Sequence, residues 1–154
     1  MKTPKALSLV PIIVLAAALA GCGSNSTATT TSASFESNAA AICKAAFDRV
    51  NAQSLPTTSA AAEEVQTNSA ALFNAAAEKL SQLDPPANAS DQFNAWLTAF
   101  KEIPAANEAA AAAAADEGAT SAAFIKTGVR FEAAVTKANA AAKAANLPGC
   151  ELTK

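Results

Sequence analysis

Apolar and small side chains recur at the three- and four-residue spacing of amphipathic helices in four blocks of the chain. The stripe positions are Phe35, Ala39, Ile42, Ala46 and Val50; Val65, Leu72, Ala76, Leu80 and Leu83; Phe93, Trp96, Phe100 and Ile103; and Phe124, Gly128, Phe131, Val135, Ala138 and Ala142. No segment shows the two-residue alternation of a half-buried strand, and the abundant alanines add high helix propensity. The pattern therefore predicts an all-α domain.

Helix-breaking residues separate the blocks. Proline or glycine interrupts the chain within residues 55–59, 84–86 and 116–118, and Leu147-Pro148-Gly149 ends the last block. The three connections are short, which favours neighbouring helices that run in opposite directions. The sequence therefore predicts an antiparallel up-down-up-down four-helix bundle.

Pro104 stands inside the third block. An interior proline removes a backbone hydrogen bond and clashes with the preceding turn, so we expect a kink or break near Ile103. Residues 105–115 beyond it carry no large apolar side chain. This stretch either packs closely through its alanines or lies exposed as a weakly anchored helix, and we favour close packing.

The N-terminus has the parts of a secretory signal. Residues 1–5 are basic, and the apolar run that follows has about 15 residues, fewer than the roughly 20 of a membrane-spanning helix. It ends on Leu19-Ala20-Gly21-Cys22, the pattern of a lipobox, whose cysteine receives a diacylglycerol before the chain is cut in front of it. A retained anchor helix and cleavage by ordinary signal peptidase are the alternatives. We expect a protein exported to the cell envelope and lipid-anchored through Cys22 to the outer face of the cell membrane.

This interpretation divides the chain into three parts. Residues 1–21 are the signal peptide, residues 22–34 the lipidated cysteine with a Ser/Thr-rich flexible tether, and residues 35–154 the helical domain. Removing Lys2 and Lys5 from the 11 basic residues leaves 9 against 13 acidic ones, a net charge of −4. This mild acidity argues against nucleic acid as a partner. The expected partners are the membrane, through the lipid, and an envelope protein or anionic polymer.

The cysteine count predicts a disulfide bond. Acylation of Cys22 leaves Cys43 and Cys150, and two remaining cysteines in an oxidising compartment usually pair. The predicted bundle puts the start of the first helix and the end of the last helix together, where Pro148-Gly149 can fold the tail back toward Cys43. A redox-active pair is the alternative, but the chain has no Cys-x-x-Cys motif. We therefore predict a structural Cys43–Cys150 disulfide that closes the bundle.

Residue types needed for catalysis are missing. The chain has no histidine, the commonest general base and metal ligand, and no tyrosine. Ferritin-type and haem-attachment motifs require histidine, and pairing of Cys43 with Cys150 leaves no thiolate for zinc. Glu63 and Glu64 diverge by about 100° on a helix, so they cannot face each other as an acid pair. We expect no catalytic residue, metal or cofactor, and a protein that is not an enzyme.

Two groups of side chains are candidate contact sites. Lys126, Arg130 and Lys137 fall within about 40° of one another on the fourth helix, opposite its apolar stripe. They form either an ordinary solvated face or a contact face for an anionic envelope polymer or lipid headgroups. The aromatic side chains form either core layers or an apolar pocket between helices. They are Phe73, Phe93, Trp96, Phe100, Phe124 and Phe131.

The chain resembles a group of small alanine-rich lipoproteins from actinobacteria. The resemblance lies in the signal, the tether and three short motifs: Ala-Ile-Cys-Lys-Ala-Ala at 41–46, Leu-Ser-Gln-Leu-Asp-Pro-Pro at 80–86 and Leu-Pro-Gly-Cys at 147–150. It implies a helical domain with a paired-cysteine layout and no particular activity. Our first hypothesis is a non-enzymatic envelope lipoprotein that acts through protein contacts or as a spacer. The alternative is a binding module for a small apolar or lipid-like ligand held between the helices.

Overall fold

The computed structural model describes residues 31–152, which form five α-helices and no strand. The helices are α1 (Ser32–Asn51), α2 (Ser59–Ser81), α3 (Ser90–Phe100), α4 (Glu102–Glu117) and α5 (Ala122–Ala144). The predicted all-α class is confirmed. The predicted signal peptide, the lipidation site Cys22 and most of the predicted tether lie outside the described residues. Within residues 31–152, no helix has both the length and the apolar character needed to cross a membrane.

Hydroxyl side chains cap the N-termini of three of the helices. Thr31, Thr58 and Ser121 each accept a hydrogen bond from a backbone N–H in the first turn of the helix that follows. Because Thr31 accepts from the N–H of Ser34, α1 begins at Ser32. The last three residues of the predicted tether, 32–34, therefore belong to the helix.

The third predicted helix is divided at Lys101, as expected from the nearby proline. α3 ends at Phe100 and α4 begins at Glu102, which places Pro104 in the first turn of α4. Backbone N–H groups in a first turn have no acceptor within the helix, so proline loses no hydrogen bond there. The break between α3 and α4 thus places Pro104 at a position where a proline costs the helix no hydrogen bond.

Six aromatic rings form a continuous chain through the core. Successive ring centroids are between 5.0 and 6.2 Å apart, a range in which aromatic pairs attract each other. The order of the rings is Phe35, Phe93, Trp96, Phe100, Phe73 and Phe47. These rings join α1 to α3, α3 to α2, and α2 back to α1. The core interpretation is therefore confirmed for the aromatic residues of α2 and α3.

α4 packs closely through its alanines. Ala106, Ala110, Ala111 and Ala114 are buried, and the helix lies against both α2 and α5. Side chains as small as alanine let neighbouring helix axes approach closely. Of the two alternatives for residues 105–115, close packing is confirmed.

The chain after α5 folds back onto α1. Asn146 has a φ of 52°, and the N–H of Leu147 bonds back to the last turn of α5, as in a Schellman motif. Leu147 is buried, and Gly149, with a φ of 87°, turns the chain so that Cys150 reaches Cys43. The two cysteines are fully buried with their Cα atoms 5.1 Å apart. The predicted Cys43–Cys150 disulfide is confirmed.

Gly149→Ala is expected to lower the free energy of unfolding by about 1 to 2 kcal/mol. The φ of Gly149 lies in the region that L residues rarely adopt, and a Cβ there would lie 3.1 Å from the Cβ of Ala40. Urea unfolding followed by circular dichroism measures the change. The same substitution at Gly128, inside α5, is the control and should not destabilise the domain. Equal effects at the two glycines would contradict this account of the tail.

α1 lies to one side of the other helices. Among the described residues, α1 packs against α2, α2 against α4, and both α3 and α4 against α5, but no close backbone approach joins α1 to α5. The disulfide and the ring contact of Phe35 with Phe93 also hold α1 in place. A groove lies between the C-terminal half of α1 and α5.

Candidate ligand-binding groove

The groove between α1 and α5 contains two adjoining clefts. The first, which we name the loop cleft, has a volume of about 390 Å³ and is bounded by the end of α1, the loop after it, and side chains of α2, α4 and α5. The second, the tail cleft, has about 470 Å³ and lies between α1, α5 and Leu152. Val50, Asn51, Phe73 and Phe131 line both clefts. Volumes of this size are typical of sites for small organic molecules.

α5 supplies the apolar wall of the groove. Phe124, Phe131 and Val135 are only half-buried, and they line the clefts. The buried residues of α5 are Thr127, Ala134, Ala138 and Ala142. The predicted apolar stripe of this helix is therefore buried only in part: Ala138 and Ala142 lie in the core, Phe131 and Val135 pack at its edge, and Gly128 is exposed. The reason is that α1 does not cover this side of α5, so its large apolar residues face the groove.

Each element around the loop cleft supplies at least one uncharged polar side chain. Ser69 of α2, Asn107 of α4 and Thr127 of α5 are buried, and Gln53 enters from the loop after α1. Gln53 Nε2 donates to Ser69 Oγ at 2.9 Å. Thr127 Oγ1 donates to the carbonyl oxygen of Phe124 at 2.6 Å. These bonds fix three of the four side chains against the walls of the cleft.

Two buried polar atoms of this cleft have no hydrogen-bond partner within residues 31–152. They are Oε1 of Gln53, an acceptor, and Nδ2 of Asn107, a donor on a residue that is only 4% exposed. A buried polar group without a partner costs on the order of 1–3 kcal/mol, and folded proteins keep few of them. A third such atom, Trp96 Nε1, lies among the core rings and lines neither cleft. Both atoms belong to residues that line the loop cleft, but both are enclosed by neighbouring protein atoms rather than exposed in the open space.

The lining of the groove is suited to binding. None of the described residues around the loop cleft is charged, and the tail cleft has one charged residue, Glu132. The described part of the chain also has no cluster of acidic and cysteine side chains able to hold a metal ion. Neutral amides and hydroxyls orient a molecule, but a hydroxyl becomes a nucleophile only beside a base, and the loop cleft offers none. The arrangement can hold an uncharged, largely apolar molecule.

The predicted contact face lies outside the groove. Lys126, Arg130 and Lys137 are all exposed on α5 and line neither cleft. Lys137 forms an ion pair with Glu102 at the start of α4, with both side chains largely solvated. Lys126 and Arg130 have no ion-pair partner among residues 31–152. Among residues 31–152, one of the three cations is therefore in an ion pair and the other two are not.

Gln53 and Asn107 are absent from the site residues predicted from sequence. Gln53 stands in a loop, where no periodicity indicates which way a side chain points. Asn107 did carry a signal, because it lies four residues after Ile103 and three before Ala110 and so shares their buried stripe. A polar residue on such a stripe needs either an internal partner or a ligand.

Similarity to known proteins gives no independent assignment of this groove. No protein-family model, no curated protein and no solved structure matches the chain.

Proposed function

We propose that the protein is a non-enzymatic binding module that holds a small apolar or lipid-like molecule in the groove between α1 and α5. The observation that carries this proposal is the loop cleft of about 390 Å³, whose lining is largely apolar, includes uncharged polar side chains and has no charged residue. A molecular spacer needs no cleft, and an open cleft leaves apolar side chains in contact with water. The groove therefore favours the carriage of a ligand over a purely spacing role.

Gly128 supports the same function. It lies inside α5 at the wall of the loop cleft, and a Cβ added there would meet no atom within 4 Å. Glycine inside a helix costs about 1 kcal/mol relative to alanine. No neighbouring atom is close enough to exclude a larger residue at this position. The glycine therefore lowers helix stability at a place where a larger side chain would narrow the cleft.

Gly128→Phe is expected to abolish ligand binding without unfolding the domain. The open space at this position admits the ring, which would occupy the loop cleft. Wild-type protein taken from its own cell surface should show a bound small molecule in a native mass spectrum, and the variant should lose it. Replacement of the helical glycine should not lower the thermal stability.

Ala133→Phe is the matched control for this experiment. Ala133 is exposed on α5 and lines neither cleft, so the same ring added there should leave the ligand in place. A bare wild-type chain would contradict the carriage of a ligand and would leave protein contacts as the function. Loss of the ligand from both variants would place the site elsewhere.

We also propose that the domain is held at the outer face of the cell membrane by a lipid on Cys22. The support is the lipobox Leu19-Ala20-Gly21-Cys22 behind a basic and apolar N-terminus, together with the resemblance to alanine-rich lipoproteins. Cys22→Ala is expected to abolish labelling by a fatty-acid analogue and to move the protein from the detergent phase to the aqueous phase. Ser24→Ala, beyond the lipobox, should keep the label. Membrane association that persists in Cys22→Ala would contradict the anchor.

We infer that the helices form an antiparallel up-down-up-down bundle in which α3 and α4 together make the third member. Ser59, at the start of α2, accepts a hydrogen bond from the N–H of Ala119 after the end of α4. Asn74, further along α2, donates to Glu108 in the first half of α4. The hydrogen bond between the start of α2 and the end of α4 supports opposite directions for these two helices. Distances between spin labels at the helix ends would test the remaining pairs.

A second candidate function is contact with an envelope protein or an anionic polymer through α5. Ile125 and Val129 are 63% and 66% exposed, and they neighbour Lys126 and Arg130, which form no ion pair with any residue from 31 to 152. Exposed large apolar side chains beside arginine favour a contact surface. In the Cys22→Ala protein, which has no lipid anchor, the double change Lys126→Glu and Arg130→Glu should weaken retention on isolated envelopes, most clearly at low salt. Unchanged retention would exclude this face.

A further inference from the structure

We infer that the ligand is an elongated apolar chain that lies along α5, and that Leu152 limits the length of chain that the groove accepts. The inference rests on the proposed function, because it assigns a shape to that ligand. The residues of α5 that line the loop cleft run from Phe124 to Phe131, and those that line the tail cleft run from Phe131 to Asn139. With a rise of about 1.5 Å per residue, the groove is about 22 Å long from Phe124 to Asn139.

The two clefts are continuous, and their shared wall is apolar. Val50, Phe73 and Phe131 line both clefts, so a molecule that extends from one cleft into the other passes these side chains. A compact ligand would fill one cleft and leave the apolar side chains of the other in contact with water. A chain that lies along α5 covers both clefts and therefore removes more apolar surface from water.

Leu152 lies at the end of the groove that is remote from the loop cleft. It is half-buried, packs against the core and lines the tail cleft. The N–H of Leu152 donates to Asn139 Oδ1 at 2.8 Å, and Asn139 Nδ2 donates to the carbonyl oxygen of Leu152 at 2.9 Å. Because Asn139 is the last residue of α5 that lines the groove, these bonds place Leu152 at its end wall.

The end wall is fixed to both sides of the groove. Cys150, two residues before Leu152, is joined to α1 by the disulfide with Cys43, and Asn139 joins Leu152 to α5. A backbone N–H can only donate and a carbonyl oxygen can only accept, so the two bonds also determine the orientation of the Asn139 amide. A side chain held in this way does not move aside for a longer ligand. Leu152 therefore sets the length limit, and Asn139 is its positioning residue.

Alkyl maltosides that differ only in chain length test this inference. The uncharged sugar stays in water while the alkyl chain enters the groove, and hexyl to hexadecyl maltosides are titrated below their critical micelle concentrations. The readout is displacement of N-phenyl-1-naphthylamine, an uncharged apolar fluorophore, from the mature chain produced without its lipid, so that no other detergent competes. We expect the affinity to rise about fourfold with each added methylene, the value of one buried CH₂ group, and to stop rising once the chain reaches Leu152.

Leu152→Ala should move this limit to longer chains. The smaller side chain opens the end of the tail cleft, so a maltoside about two methylenes beyond the wild-type limit should bind about tenfold more tightly to the variant. Leu72→Ala is the matched control, because it makes the same change at a half-buried leucine that lines neither cleft. It should leave the limit unchanged. A general loosening of the domain would change the affinity for all chain lengths alike and would leave the limit where it is.

Asn139→Ala should move the limit in the same direction as Leu152→Ala, because it removes both bonds that hold Leu152. Asn94→Ala is its control, since Asn94 is exposed on α3 and lines neither cleft. The two variants test the side chain of the wall and its attachment separately.

The outcomes separate this inference from the proposed function. An affinity that keeps rising through hexadecyl maltoside in the wild-type chain, or the same limit in the wild-type chain, Leu152→Ala and Asn139→Ala, would overturn the role of Leu152. An affinity independent of chain length would overturn the elongated ligand. The fluorophore would still bind in each of these cases, and the proposed function would stand. Failure of the fluorophore and of every maltoside to bind would overturn the proposed function and this inference together.

Discussion

Replacing Cys43 and Cys150 together with alanine should lower the free energy of unfolding by about 4 to 5 kcal/mol. The disulfide joins residues that are 107 apart in sequence, and loop-closure entropy in the unfolded chain gives a stabilisation of this size for so large a loop. Both cysteines are fully buried, so their shortening also loses core packing. Domains of this size are stable by roughly 5–15 kcal/mol, so the variant should lose between about a third and nearly all of its stability in urea titrations.

The loss should be felt first in α1. This helix packs against α2 but has no close approach to α5, so the disulfide is its main link to the tail. Amide hydrogen exchange in α1 should therefore accelerate before exchange in α2 and α4. Each single change, Cys43→Ala or Cys150→Ala, is the control and should cost nearly as much as both, because either breaks the same bond. Additive losses would contradict the assignment of this stability to the disulfide.

The helices could be predicted because their signals lie within short segments of sequence, and the disulfide could be predicted from the number of cysteines. Thr58 and Ser121 begin α2 and α5 at hydroxyl-rich breaks, and Pro104 lies next to the helix break that it predicts. The predicted acylation of Cys22 left one pair of cysteines, and that pair is bonded. The separation between α1 and α5 has no such signal, since it depends on how all the helices pack together.

The position of the candidate site could not be predicted, because it depends on the same packing of all the helices. Phe124 and Phe131 lie on a regular apolar stripe, and a stripe predicts burial whether or not a neighbouring helix covers it. Gln53 and Asn107 belong to segments far apart in sequence, and only the packing of α1, α2 and α4 brings both to one cleft. Two features of the sequence pointed to this place: the polar Asn107 on the alanine stripe of α4, and the alternative interpretation of the aromatic side chains, Phe73, Phe124 and Phe131 among them, as the lining of an apolar pocket.

Phe73→Ala is expected to lower the free energy of unfolding by about 3 to 5 kcal/mol and to remove ligand binding. Phe73 is 1% exposed, and its ring centroid lies 5.8 Å from that of Phe100 and 6.2 Å from that of Phe47. Truncation of a buried ring loses its transfer free energy, leaves a cavity and removes both ring contacts. Because Phe73 lines both clefts, the new cavity should also open the groove into the core.

Two further variants separate the stability effect from the binding effect. Phe47→Ala makes the same chemical change at a half-buried residue that lines neither cleft, so it should cost less stability and keep the ligand. Phe73→Leu preserves most of the buried volume and should cost only about 1 to 2 kcal/mol. Urea unfolding and native mass spectrometry measure the two properties on the same samples. Wild-type ligand occupancy in Phe73→Ala would show that the junction of the clefts is not part of the site. Loss of ligand with Phe73→Ala but not with Phe47→Ala would place the ligand against the ring that also holds α2 to the core.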